Sequence, residues 1–175
     1  MEVWDLYDKN RHKTGETAVR GGPRIPAGRY HLVVHAAVFN DREEMLIQQR
    51  QPWKEVFPDL WDITVGGSAV AGEDAPLACF RELEEEVGLS LPDIQDGRAV
   101  FTVNFRDGFD DYFVARWNGD PAALRLQESE VRAVRWADRK EIADMTLEGT
   151  FIPYHPGLMD LLFLHNTHGS IYDWK

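Results

Sequence analysis

Cysteine is nearly absent from this chain: among 175 residues only Cys79 is one. No internal disulfide can form, which suits a reducing compartment. Long apolar runs are missing as well. The longest, HLVVHAAVF, carries two histidines and is far too short to cross a bilayer. The opening MEVWDLYDKNRHK lacks the basic-then-apolar order of a secretory signal. The expectation is a cytoplasmic protein with no membrane partner. Positive charge is scarce: 19 Lys and Arg face 30 Asp and Glu, a net charge of -11. Polymeric nucleic acid is held through counterion release from a basic surface, so none is expected as a partner. A small polyanion stays open, because metal ions can lie between two sets of negative charge. Internal repeats and low-complexity tracts are absent too.

What is present is an ordinary globular composition, 43% hydrophobic and 28% charged, long enough for one domain with a core. VWDLYD and GETAVRG read as two short strands around KNRHKT, hence an N-terminal hairpin, followed by the Gly/Pro-rich connection GGPRIPAG. YHLVVHAAVFN, EMLIQQR and DLWDITVGG read as strands. RAVFTVNFR and DDYFVARWN read as a hairpin across DGFD, and EVRAVRWA as a further strand. APLACFRELEEEV, DRKEIADM and PGLMDLLFLH read as helices. Strands and helices mix without strict alternation, which favours an α+β or mixed-sheet sandwich.

The first of these helices concentrates negative charge. At about 100° per residue, Glu82, Glu85 and Glu86 project from one face, and Leu77, Phe80, Leu83 and Val87 from the other. Pro76 suits the first turn and Gly88 a left-handed cap. Like charges at this spacing cost a helix a few tenths of a kcal/mol each. A solvated acidic face would tolerate that cost. A divalent cation would reverse it, and hard carboxylate oxygens on a rigid element suit Mg²⁺ or Mn²⁺.

Spacing sharpens the reading. Gly67, Glu73, Arg81-Glu82-Leu83, Glu85-Glu86 and Gly88-Leu89 match G-x5-E-x7-R-E-U-x-E-E-x-G-U at every fixed position. Chance would produce that match on the order of once in 10⁹ starts. The chain therefore resembles the Nudix hydrolases. The resemblance implies one domain over residues 1–175: an α/β/α sandwich around a mixed sheet, with a hairpin and connection at 1–29 and a loop-helix-loop signature at 67–89. It implies Glu85 and Glu86 as principal metal ligands, Glu82 as ligand or base, and the Gly67 carbonyl completing the shell. Arg81 would orient the carboxylates and Glu73 would stabilise the loop. The cofactor implied is Mg²⁺ or Mn²⁺. The substrate implied is a small diphosphate linked to a nucleoside, cleaved by metal-activated water. The base varies among members; Glu82, Glu128 and Glu130 are the candidates. Analogy with relatives also suggests a homodimer.

A narrower resemblance, over roughly residues 2–165, is to the isopentenyl-diphosphate isomerase-like branch of that family. It rests on VWDLYDKNRHKTGET, HLVVHAAVFN, LIQQRQPWKEVFPDLWDITVGG and ESEVRAVRWADRKEI. Isomerase chemistry requires a V-C-G-H arrangement, where this chain has Val65-Gly66-Gly67-Ser68. Glycine cannot deliver a proton, and of the isomerase metal histidines only His31 has a counterpart. Hydrolysis is the expectation; isomerisation and a non-catalytic nucleotide-binding module are the alternatives. Arg50 and Lys54 are candidate phosphate contacts. Asp110 and Asp111 read as turn residues before metal ligands, and His31 and His35 as packed side chains. One or two of Trp53, Phe57, Trp61, Phe109 and Tyr112 are expected to line the pocket. EGTFIPYHPG is a pocket wall or a packing segment, and Cys79 a buried filler.

Overall fold

Alternation in HLVVHAAVF sets up the architecture. The structure, a computed structural model, describes residues 1–169. In it strand β3 (His31–Phe39) sends Leu32, Val34, Ala36 and Val38 into one apolar cluster and Ala37 and Phe39 into a second. A strand apolar on both faces needs cover on both. The first cluster is closed by Ala78 and Cys79 of α1 (Ala75–Glu82), by Leu83 and Val87 of the π-helical turn that continues it (Leu83–Val87), and by Ile94 of the short α2 (Pro92–Gln95). The second is closed by Ile142 and Met145 of α3 (Arg139–Glu148) and by Met159, Leu162 and Phe163 of α4 (Pro156–His168). The result is an α/β/α sandwich around a mixed sheet.

On one side β3 pairs in parallel with β8 (Gly108–Arg116), which is antiparallel to β7 (Phe101–Phe105). On the other side the sheet forks. Strand β4 (Met45–Arg50) meets β3 only at Met45 and Phe39. Beyond that pair, β5 (Trp61–Asp62) runs along β4 and β6 (Val65–Ser68) along β3, while β9 (Val131–Ala137) covers the far edge of β4. Thr64 is the wedge: its fully buried hydroxyl accepts from the Val38 N–H at 2.9 Å and donates to the Leu46 carbonyl at 2.6 Å. The two diverging strands thus satisfy each other's backbone through one side chain. DLWDITVGG is therefore not one strand but two, broken at the fork.

The N-terminal hairpin forms as expected, β1 (Val3–Tyr7) against β2 (Lys13–Val19). The Asp8 carboxylate accepts from the Asn10 and His12 amides to build its turn. The hairpin braces the signature loop: the Ala71 amide donates to Val3 O at 2.7 Å and the Gly72 amide to the Asp5 carboxylate at 2.9 Å. Arg11 forks onto buried Asp111 at 2.8 and 2.5 Å.

Two further local expectations are corrected. The turn between β7 and β8 is Arg106-Asp107, so Asp110 and Asp111 lie within β8 rather than in the turn. Gly108 opens that strand, where a Cβ would meet the His31 carbonyl at 2.6 Å, so the glycine serves close approach rather than a turn. On α1 the buried residues are Ala75, Ala78 and Cys79, while Leu77 is exposed. Trp61 and Phe151 share a bridge, and EGTFIPYHPG packs Phe151 and Ile152 into the core. Among the described residues no helix is long and apolar enough to cross a membrane.

The Thr64 wedge is testable. Thr64→Val keeps the shape but strands a buried N–H and a buried carbonyl. Its expected cost is about 1–3 kcal/mol, read as a lower urea midpoint at unchanged slope; an unchanged midpoint would show that the fork holds without the hydroxyl.

Candidate active site

The signature segment builds the site around Arg81. Asp74 caps α1 by accepting from the Leu77 amide at 3.0 Å, Pro76 occupies the first turn, and Gly88 closes the π turn at φ 70. This holds Arg81 over the loop. Its Nε donates to Glu73 Oε1 at 2.7 Å and its Nη2 to Glu73 Oε2 at 3.0 Å, a two-pronged pair. Nη2 also reaches the Ser68 carbonyl at 3.1 Å, and Nη1 reaches Glu82 at 2.9 Å and Glu85 at 3.1 Å. Glu73 in turn accepts from the Val70 amide at 3.0 Å, which closes the loop. Burial opposes the Arg81 charge, yet the bonds to Glu73 and the charge of Glu82 raise its pKa.

The π turn separates the acidic residues. Glu86 is turned inward and buried, accepting from Gln48 Nε2 at 2.9 Å, while the Glu85 side chain is half exposed. Burial first, then the Glu82 charge, push the Glu86 carboxyl up to about 8, with the Gln48 amide working against them. Burial also raises Glu82, opposed by Arg81.

A cavity of 290 Å³ opens over these carboxylates. Eight of the residues put forward as catalytic, substrate-binding or metal-ligating line it: Gly67, Arg81, Glu82, Glu85, Glu86, Arg50, Lys54 and Glu130. Lys54 and Glu130 are paired across it, held by two loops tied together where the Gln51 amide donates to Glu130 O and Trp53 Nε1 to Ser129 O. Arg50 lies over buried Asp62 at 3.5 Å. Glu128 is exposed and lines a shallower groove outside the cavity.

The residues suit a divalent cation by donor chemistry. The cavity carries five glutamates against four Arg and Lys, one glutamate being a buried carboxylate with an elevated pKa. Such a group favours either a proton or a cation. All-oxygen donors match a hard ion. A Cβ on Gly67 would lie 2.1 Å from Glu82 Oε1, so only glycine lets that backbone approach the carboxylate. Among the described residues no three His, Cys, Asp or Glu side chains are already gathered for a metal: Glu82 and Glu85 are turned onto Arg81.

Other candidates fall elsewhere. None of the five aromatic candidates lines the cavity: Trp53 and Phe57 are exposed, Trp61 lies under Arg135, Phe109 is core, and Tyr112 stacks between His35 and Phe101. His31 packs on Trp4 at 4.6 Å. Asp111 is committed to Arg11 and Thr102. Cys79 is wholly buried, and burial raises its thiol pKa. Sequence reasoning missed Glu2 and Arg20, which the hairpin brings to the rim, and Gln48 and Gln127; they approach through long-range pairing that leaves no local pattern. His35, read as packed, is packed and also lines the cavity.

Position 66 bears on the isomerase alternative. A Cβ there would lie 2.4 Å from His35 Cδ2 and 2.5 Å from its Nε2. No side chain enters while His35 keeps its place.

An acidic signature helix set over a cavity in an α/β/α sandwich defines a class, and comparison with known proteins agrees. Residues 29–159 match the NUDIX domain. An uncharacterized Nudix hydrolase of Listeria monocytogenes is 41% identical over 154 residues, 88% of this chain and 90% of its own. An isopentenyl-diphosphate Delta-isomerase of Saccharopolyspora erythraea is 32% identical over 127 residues, 69% of this chain and 64% of its own. The crystal structure of DR0079 from Deinococcus radiodurans shares the fold, with a TM-score of 0.75 at 20% identity over 92% of this chain and 99% of that one. The chain belongs to the Nudix family. It is an enzyme, a hydrolase of the Nudix type, in a family whose hydrolases act on small molecules and generally use divalent ions.

Two measurements probe this geometry. Without metal, burial pushes the Glu86 carboxyl from its ordinary 4.5 up to about 8 in the folded protein. The folded state therefore binds the extra proton between those values, and its stability falls as pH rises through that window. In EDTA, Glu86→Gln should melt several degrees above wild type at pH 9, with the gap closing toward pH 5; a gap independent of pH would refute the assignment. Gly66→Ala should cost about 1–3 kcal/mol through the clash with His35, and His35→Ala should relieve most of it.

Proposed function

We propose that this protein hydrolyses a diphosphate joined to a nucleoside, adding water across a P–O bond to release a nucleoside monophosphate and a phosphorylated second moiety. The observation that carries the reading is Glu86: a buried carboxylate with raised proton affinity, facing Glu82 in a cavity that also presents Arg50 and Lys54. A site for a bare anion would not bury a carboxylate at its centre. A site for a phosphate-bound cation would.

Glu82, Glu85, Glu86 and the Gly67 carbonyl would hold Mg²⁺ or Mn²⁺, which when bound neutralises phosphate charge and acidifies water. Arg81 holds Glu82 and Glu85 in register, so its role is positional. Arg50 and Lys54, which line the same cavity, would meet the phosphate oxygens. Glu130 is the base we favour over Glu128, because it lines the cavity and Lys54 holds it there. Isomerisation is disfavoured by the closed space at Gly66 and by the buried, inert Cys79. A purely binding role leaves the acidic constellation without a purpose.

The test is product analysis across nucleoside diphosphate derivatives, nucleoside triphosphates, dinucleotides and isopentenyl diphosphate, with Mg²⁺ and with EDTA. One nucleotide class should be cleaved only with metal. Glu86→Gln should keep the fold and lose roughly a hundredfold or more in kcat. A fully active variant would remove the metal assignment, and isomerised isopentenyl diphosphate with silence on nucleotides would replace hydrolysis altogether.

A further inference from the structure

His35 occupies an unusual place. It stands on the β3 face turned away from α1, yet it lines the cavity, because β6 and its glycines replace β4 beside it at the fork. Its ring is fixed on three sides. Nδ1 lies 2.6 Å from Asp110 Oδ1. Tyr112 stacks parallel to it at 5.0 Å and donates its own hydroxyl to Asp110 Oδ2 at 2.8 Å. Tyr154 meets it edge-on at 6.3 Å. The remaining edge, with Nε2, lies against Gly66, and among the described residues Nε2 has no hydrogen-bond partner. A histidine kept only for packing needs no carboxylate behind it and no glycine in front of it. Here both are present, on a residue that lines the polar cavity and keeps one nitrogen without a partner among the described residues.

We propose that His35 is a substrate contact, its Nε2–H donating to a phosphate oxygen of the bound diphosphate. The inference rests on the diphosphate reading above. Burial opposes a second proton on the ring, but the Asp110 bond and charge, followed by Asp62, outweigh it and raise the pKa, with Arg50 acting in the opposite sense. With Nδ1 donating to Asp110, that second proton makes Nε2 a donor. Asp110 is then a positioning residue, and Gly66 is the space that admits the ring. The cavity then offers Glu82, Glu85 and Glu86 to a cation and His35, Arg50 and Lys54 to the phosphates it carries.

Two substitutions divide the two ring nitrogens. Asn at 35 can keep a donor toward Asp110 but loses the unpartnered nitrogen. Gln loses the first and keeps a donor near the second. The probe is methylenediphosphonate with Mg²⁺, measured by calorimetry, with circular dichroism confirming that each variant is folded. His35→Asn should weaken binding about tenfold, as loss of one charged hydrogen bond does, while His35→Gln stays within about threefold of wild type. On the cleaved nucleotide, His35→Asn should raise KM more than it lowers kcat. The reverse order, with Asn unaffected and Gln weakened, would show a structural role and overturn the proposal. If His35→Asn does not fold, His35→Gln decides alone: retained affinity supports the contact and lost affinity overturns it. Failure of the wild type to bind the diphosphonate would instead bring down the diphosphate reading, and this inference with it.

Discussion

The guanidinium of Arg81 is the interaction on which the site depends. Its planar fork is shared among a loop carboxylate, a strand carbonyl and two helix carboxylates. The partners come from the loop, from β6 and from the signature helix, so one rigid group sets the relative position of all three. Glu73 is required twice over: it neutralises much of the buried charge and, through the Val70 amide, holds the loop that brings Gly67 under Glu82. Remove the fork and Glu82 and Glu85 lose the guanidinium that holds them. Lysine would keep the charge but could not serve these directions at once.

Around that centre the fold divides its labour between two sides of a fork. The face covered by α1 carries the acidic chemistry. The face covered by α3 and α4 carries the His35, Asp110 and Tyr112 assembly. Neither face alone makes a cavity. The opening exists because β3 and β4 part after one pair of residues, and Thr64 makes that parting affordable by satisfying both backbones. The N-terminal hairpin completes the enclosure. Its strand β1 backs the signature loop, while Arg11 ties its turn to β8.

Much of this was legible in the residues themselves. The signature spacing, the Gly88 cap and the hairpin each follow from a local pattern of charge or period. The eight site residues read from that spacing and from the neighbouring strands all line one cavity, although their chemical roles remain our proposal. The rest was hidden for identifiable reasons. A period of two does not reveal that DLWDITVGG breaks at Thr64, because the break is imposed by two other strands. The inward turn of Glu86 depends on a π turn, which a constant 100° step cannot express. That same constant step assigned the buried face to Leu77, which is exposed, and passed over Ala78, which is buried. Asp110 was misplaced because glycine usually marks a turn, whereas Gly108 serves close approach of a neighbouring backbone.

The adjacent glycines of β6 constrain how this chain can change. Gly66 leaves room for His35 on one face of the strand, and Gly67 leaves room for Glu82 on the other. Residues in such contact do not mutate independently. A proton-donating side chain at position 66 is blocked until His35 has shrunk, and a smaller residue at 35 abandons Asp110 and Tyr112 inside the sheet. The two family chemistries are thus separated by a valley in sequence space rather than by a single step, and the order of substitutions matters as much as their identity.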